Sequence, residues 1–301
     1  MPTANVNGLD LYYEVAGDGF PVVFCHEFAG DHRSWAPQVR YFSRLYRCVT
    51  YSQRGYPPSA IPARAEEYSE DLLIEDLRGL FREMGIEQAH VVGFSMGGSV
   101  VLNFGIRYPE LCRSIVAAGA GSGSINREQF ERDVAGVVEL IRTGGIEGFA
   151  QVYADGPSRQ PFKRKDPQGW GEFREQLAEH SPVGQAHTIV GVQLNRPTLL
   201  TLEKELDQLE VPTLIMVGDE DEACVEPGVF LKRHIRSSGL VFFPQTGHTL
   251  NLEEPALFNQ LVEGFFRMVE AGKWATRQIT STSLLPSPIS ARQQANGLEL
   301  W

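Results

Sequence analysis

The chain has 301 residues, 42% of them hydrophobic and 22% charged, which fits one large globular domain, or a core domain carrying an insertion, with enough apolar material for a sizeable core. A net charge of −11 argues against a nucleic-acid or anionic-membrane surface, which needs clustered Lys and Arg. No stretch approaches the ~20 apolar residues of a membrane span.

The opening residues are polar and lack the apolar stretch of a secretory leader. The four cysteines, Cys25, Cys48, Cys112 and Cys224, stand far apart and form no CxxC pair. The expectation is a reduced, cytoplasmic protein.

In chain order, residues 9–15 read as a strand, and 21–26 (PVVFCH) and 47–51 (RCVTY) as short buried strands. Residues 68–84 carry Leu73, Leu77, Leu80, Phe81 and Met84 on one helical face, and Gly85 stops that helix. A further buried run, 89–94 (AHVVGF), leads into a helix over 95–108 that is apolar almost all round, closed by Pro109. Another strand follows at 114–118. Short β-rich runs alternating with helices predict an α/β fold: a mostly parallel sheet flanked by helices.

The rhythm then changes. Residues 121–196 show no clear strand, only Gly-rich turns and helical patterns such as 130–142, and read as an inserted helical cap. Its one basic run, from Arg159 to Lys165, reads as a solvated loop. Strand and helix signals resume with a helix over 198–209, a strand over 212–217, a helix over 228–235, a strand over 240–243 and a helix over 253–268. The division is therefore a core of 1–120 and 197–272, a cap of 121–196, and a tail of 273–301 expected to be disordered.

Gly93-Phe94-Ser95-Met96-Gly97 lies where a strand turns into a helix. A sharp turn there pushes one hydroxyl out of the sheet's carboxyl edge, and small residues two before and two after let the backbone cross itself. A serine hydroxyl is a weak nucleophile, so it needs a base and an anion hole. The Met96 N–H, at the start of the helix, is one candidate donor.

His248, just after the last predicted strand, is the best-placed base for Ser95. His90 opens a strand at the other end of the sheet, His180, His187 and His234 fall in helix or cap patterns, and His32 lies in a polar loop expected to be exposed. The acid belongs after the preceding strand, where Asp219, Glu220, Asp221 and Glu222 stand in a row. Composition alone does not choose among them. The chain order Ser, Asp, His matches that of nucleophile-elbow hydrolases.

At this point the chain resembles the α/β-hydrolase superfamily over roughly residues 5–270. The resemblance rests on His26 to Gly30, Arg54-Gly55-Tyr56, Gly93 to Gly98, Gly218 to Asp221, and Gly247-His248. It implies that the acid is Asp221, three positions after Gly218. The family's proline four residues beyond the acid is replaced by Val225, with Pro227 following. It also implies that the second oxyanion donor is the Phe28 N–H. Glu27 stands where the family has Gly, and is expected either to point to solvent or to enter the site as an extra carboxylate with a raised pKa. The Arg54-Gly55-Tyr56-Pro57-Pro58-Ser59 loop is taken as structural.

The resulting expectation is a cofactor-free serine hydrolase of a small-molecule ester or lactone. Ser95, His248 and Asp221 would be catalytic, and Phe28 and Met96 would form the oxyanion hole. Phe149, Tyr153, Phe162, Trp170 and Phe173 are candidate apolar contacts in a pocket under the cap, together with Glu27. No His/Cys/Asp cluster has metal-ligand spacing, and Gly119-Ala120-Gly121-Ser122-Gly123 lacks the Lys and spacing of a phosphate loop and reads as a hinge into the cap. The alternatives are a carbon–carbon bond or enol-lactone hydrolase, and a ligand-binding receptor on the same scaffold. Haloalkane dehalogenases and epoxide hydrolases of this fold use an Asp nucleophile, which Ser95 disfavours.

Overall fold

The short apolar runs of the sequence become neighbouring strands in the computed structural model, which describes residues 2–277. Thr3–Val6 (β1) and Leu9–Ala16 (β2) pair antiparallel at one edge. Pro21–Cys25 (β3), Ala36–Phe42 (α1), Arg47–Tyr51 (β4), Glu70–Glu83 (α2), Ala89–Phe94 (β5), Met96–Arg107 (α3) and Cys112–Ala118 (β6) follow. Four helices then run without a strand: Arg127–Ala154 (α4, bent at Gly145), Gln160–Lys165 (α5), Pro167–Ala178 (α6) and Pro182–Thr188 (α7). Glu203–Gln208 (α8), Thr213–Gly218 (β7), Glu222–His234 (α9), Ser238–Phe243 (β8), Leu250–Glu253 (α10) and Pro255–Glu270 (α11) complete the described chain. None of the described helices is long and apolar enough to cross a membrane.

The eight strands form one sheet in the order β1-β2-β4-β3-β5-β6-β7-β8, parallel from β4 to β8. Side-chain alternation assigns each parallel strand to two cores at once. Val23, Cys25, Val91, Ile115, Ala117, Ile215 and Val217 face one side, against Leu77, Leu80, Val100 and Leu231 of α2, α3 and α9. Val22, Phe24, Val92, Phe94, Val116, Ala118, Leu214 and Met216 face the other, against Phe42 of α1 and Phe258, Val262 and Phe265 of α11. With helices on both faces, a site belongs at the carboxyl ends of the strands, at the point where the strand order reverses between β3 and β5.

Two boundaries differ from the sequence expectation. Helix α9 begins at Glu222, six residues before the predicted start, and carries Pro227 inside it, where the proline hides the helical signal of residues 222–227. The helix therefore starts immediately after Asp221. At the other end, the expected tail boundary at 273 is too early: the Trp274 indole donates to the Ser237 carbonyl at 2.6 Å and sits edge-on to Phe265 at 4.6 Å. The rest of that tail, 278–301, lies outside the described residues. His32, expected to be exposed, is mostly buried beside Tyr12, with Nδ1 at 3.0 Å from the Ser52 hydroxyl.

The loop after β4 is fixed by a buried ion pair. Arg54, 3% exposed, donates from Nε and Nη2 to Asp76 of α2 at 2.6 and 2.7 Å, and from Nη1 to the Glu67 carbonyl. Removing one partner strands the other charge in the core, so Asp76→Ala is expected to cost about 3–5 kcal/mol in urea unfolding. An Arg54→Met/Asp76→Leu double variant, which leaves no orphan charge, is expected to recover most of it. A loss under about 1 kcal/mol in Asp76→Ala contradicts this role.

Candidate active site

Ser95 holds φ +53° and ψ −111°, a strained region for a residue with a Cβ. The strain is enforced by crossing backbones. A Cβ on Gly93 would lie 2.2 Å from the Gly97 carbonyl, and one on Gly97 would lie 2.2 Å from the Cys25 carbonyl. Only glycine allows β5 to turn into α3 at this separation, and the turn leaves the Ser95 side chain half-buried at the carboxyl edge.

The His248 Nε2 lies 2.8 Å from Ser95 Oγ, and its Nδ1 lies 2.7 Å from Asp221 Oδ2. A carboxylate on Nδ1 places the ring proton there and leaves the Nε2 lone pair facing the hydroxyl. His248 and Asp221 are 7% and 2% exposed. Asp219 is exposed and turned away: its Oδ1 accepts the Thr246 N–H at 3.1 Å, bracing the loop that carries the histidine. The loops after β7 and β8 touch so closely that a Cβ on Gly218 would sit 2.2 Å from the Gly247 carbonyl.

Sequence reasoning missed Glu253. This buried carboxylate accepts the N–H groups of Gly247 at 2.9 Å and Thr249 at 3.1 Å, on either side of His248. Burial raises its pKa, against those two amides and the field of Lys165. The only sequence signal is a Glu five residues beyond the histidine. Cys224 also comes near Asp221 and His248. Burial pushes its thiol well above the ordinary range, and it donates to the Gly119 carbonyl at 3.3 Å.

The loop after β3 is braced by His26. The Gln53 N–H donates to His26 Nε2 at 2.9 Å, so Nδ1 carries the proton and donates to the Glu27 carbonyl at 2.7 Å. Burial lowers the His26 pKa to about 4, so the brace is neutral. Glu27 corrects both expectations set out for it. It is 1% exposed and does not reach solvent. Nor is it a lone extra carboxylate, because it pairs bidentately with Arg159, whose Nη1 donates to Oε1 at 3.1 Å and whose Nη2 donates to Oε2.

Arg159 itself overturns the solvated reading of the basic run, since it is 1% exposed. Its guanidinium lies over the Tyr153 and Phe173 rings, and Nη1 also donates to Thr249 Oγ1 at 3.2 Å. Burial is the largest single influence and works against the charge, but the fields and hydrogen bonds of Glu27 and Tyr153 together outweigh it and hold Arg159 above its ordinary range. The neighbouring Ser158 carbonyl accepts the His248 N–H at 3.0 Å. One short segment between α4 and α5 thus grips the loops carrying Phe28 and His248.

A cavity of about 270 Å³ opens on Ser95, His248 and Asp221. Phe28, Phe130, Val134, Val137, Tyr153 and Ile189 give it apolar walls; Ser122, Gln193 and Arg196 add polar groups.

The sequence matches the alpha/beta hydrolase fold family over residues 21–255. The chain belongs to the alpha/beta hydrolase family. It is 28% identical to an AB hydrolase superfamily protein of Bacillus subtilis, over 85% of this chain and 94% of that protein. It is 27% identical to 3-oxoadipate enol-lactonase 1 of Acinetobacter baylyi, over 83% of this chain and 89% of that protein. Among solved structures, a thermophilic esterase from Thermogutta terrifontis superposes with a TM-score of 0.77 at 26% identity, covering 89% of this chain and 97% of that one.

Of the five aromatic residues expected to line the pocket of this hydrolase, only Tyr153 stands on the Ser95 cavity. Phe149 lies behind it, against Phe28 and Tyr153. Phe162 and Phe173 face each other, and Trp170 donates to the Ala154 carbonyl at 2.7 Å. These four are 8% exposed or less and form the interior of the α4–α6 layer, because a layer of short helices needs large apolar groups of its own to hold together.

The buried imidazoles of His26 and His90, lowered to about 4 and about 3, make folding proton-linked. The unfolded chain binds these protons near pH 6.5 and the folded chain does not. Stability therefore falls as pH drops from about 6.5 towards 4, at about 1.4 kcal/mol per pH unit per histidine. His26→Asn is expected to flatten the pH profile of urea stability by that amount between about pH 4.5 and 6. An unchanged slope shows that His26 is not held neutral.

Proposed function

We propose that this hydrolase cleaves a small-molecule carboxylic ester or lactone through an acyl-enzyme on Ser95, with His248 as general base and Asp221 orienting it. The observation that carries this reading is the unbroken line from Ser95 Oγ to His248 Nε2 at 2.8 Å and from Nδ1 to Asp221 at 2.7 Å. The enol-lactonase and esterase activities in the relatives' names agree with it.

In this mechanism Ser95 Oγ attacks the carbonyl carbon as Nε2 takes the hydroxyl proton. Asp221 stabilises the imidazolium that forms. The negative charge on the carbonyl oxygen meets the N–H of Met96, one of the first-turn amides that α3 leaves without an intrahelical partner, and the N–H of Phe28. Collapse expels the alkoxide, which takes the proton from Nε2; in a lactone the alcohol stays tethered to the acyl group. Water, deprotonated by His248, then attacks the acyl carbon and frees Ser95. No step draws on a cofactor or a metal.

Residues 121–196 act as a cap on a core built from the flanking segments, 2–120 and 197–277. The cap supplies Phe130, Val134, Val137, Tyr153, Ser158, Ile189, Gln193 and Arg196 to the cavity. A cavity of about 270 Å³ with mostly apolar walls takes a small molecule rather than a polymer. The four cysteines are buried free thiols, in keeping with a reducing, cytoplasmic setting.

With p-nitrophenyl butyrate, Ser95→Ala is expected to lower kcat by about 10⁴–10⁶-fold while remaining folded. Asp221→Asn is expected to cost roughly 10⁴-fold, and Asp219→Asn far less. A reversed ranking of the two aspartates moves the acid to Asp219. An unreactive wild type that binds small esters stoichiometrically identifies a receptor instead.

A further inference from the structure

The described residues include three buried arginines: Arg54, Arg159 and Arg196. Arg54 is paired with Asp76 and Arg159 with Glu27. Arg196, 9% exposed, has no ion-pair partner among the described residues. It lies on the wall of the cavity that holds Ser95, just after the π-turn Ile189–Gln193. Its Nη2 donates to the Ser122 carbonyl at 3.0 Å, and its Nη1 has no partner. The side-chain oxygen of Gln193, on the same wall, is also unpartnered.

A buried guanidinium is costly without an anion. Glu70 supplies the largest favourable field, but its carboxylate is turned to Ser99 Oγ at 2.6 Å. Burial still leaves Arg196 below its ordinary range. Of the carboxylates on the cavity wall itself, Asp221 is bound to His248, and Asp133 is exposed and accepts from Gln129 at 2.7 Å. The protein therefore keeps a charged, incompletely satisfied donor in the wall of the cavity that holds its nucleophile. That costs stability and gains nothing unless a ligand completes it.

We infer that Arg196 is the receptor for a carboxylate on the substrate, so that the ester or lactone cleaved at Ser95 is an acidic one. This rests on the hydrolase reading for the cleavage step, and on the guanidinium alone for the anion. A carboxylate meeting Nη1 forms a charge-assisted hydrogen bond, in a cavity walled by Phe130, Val134 and Ile189 that excludes competing water. Neutral esters of the same shape leave Arg196 unpaired, and the site discriminates against them for that reason.

Two matched ester pairs test the inference. p-Nitrophenyl hemiglutarate against p-nitrophenyl valerate places the acid on the acyl arm; 4-carboxyphenyl acetate against phenyl acetate places it on the leaving arm. Arg196→Gln is expected to lower the acidic-to-neutral ratio of kcat/KM at least about 30-fold in one pair, mainly through KM. Arg196→Lys is expected to keep part of the ratio. Ratios unchanged in both pairs, or an equal fall for both members of each pair, would overturn the inference and leave Arg196 structural. If no ester is turned over, calorimetry with glutarate decides. Binding to Ser95→Ala that is lost in Ser95→Ala/Arg196→Gln upholds the acid site while the hydrolase reading fails; no Arg196-dependent binding overturns it.

Discussion

The site depends on one steric constraint, the passage of the α3 backbone over the end of β3. Gly97 sits so close to the Cys25 carbonyl that no side chain fits between them. That contact forces Ser95 into its strained turn and sets the distance between the first amide of α3 and the loop that follows β3. The hydroxyl and both expected oxyanion donors are thus placed by main chain alone. Side chains then have only to hold the loops, which His26, Asp219 and Glu253 do through backbone amides and carbonyls. Preorganised main-chain dipoles are well suited to stabilising a transient oxyanion, since they need not reorganise as charge develops.

The Glu27–Arg159 pair extends that rigidity to the helical layer. A fully buried ion pair is a poor source of net stability, because desolvation consumes most of the Coulombic attraction. What it does supply is specificity of arrangement. Arg159 has partners on the loop after β3, through Glu27, and on the loop carrying His248, through Thr249. Ser158 beside it accepts the His248 amide. A helical layer shifted away from this position leaves two buried charges unpaired, so the layer and the loops carrying Phe28 and His248 are held as one unit. The departure from Gly at position 27 is intelligible only together with Arg159, over a hundred residues away.

How much of this was legible in the sequence follows from the range of each signal. Strand and helix periodicity is local, so β3 to β6 and α2 to α3 were readable to within a few residues. The four-residue, half-polar β1 gave no such signal. The Gly-x-Ser-x-Gly spacing encodes a local backbone crossing and placed Ser95 directly. His248 followed from its position after a strand, and Asp221 from resemblance, since four adjacent acids are indistinguishable until a fold turns one of them inward. The burial of Glu27 and Arg159 was not readable, because charge is normally a surface signal and their pairing spans distant segments. Four of the five expected pocket aromatics, all but Tyr153, were misplaced for a related reason: an apolar side chain does not announce whether it lines a cavity or fills a core. Arg196 stood out only once its surroundings were known, as a cation whose partners could be counted.

The most direct test of the central claim is to trap the covalent intermediate. Rapid acid quenching of the wild-type protein with p-nitrophenyl butyrate, followed by peptide mapping by mass spectrometry, reads out which residue carries the acyl group. The account predicts a butyryl adduct on the peptide containing Ser95, formed with a burst of p-nitrophenol and absent from Ser95→Ala. Steady turnover with no adduct, with the acyl group on another residue, or with an undiminished rate in Ser95→Ala would contradict it.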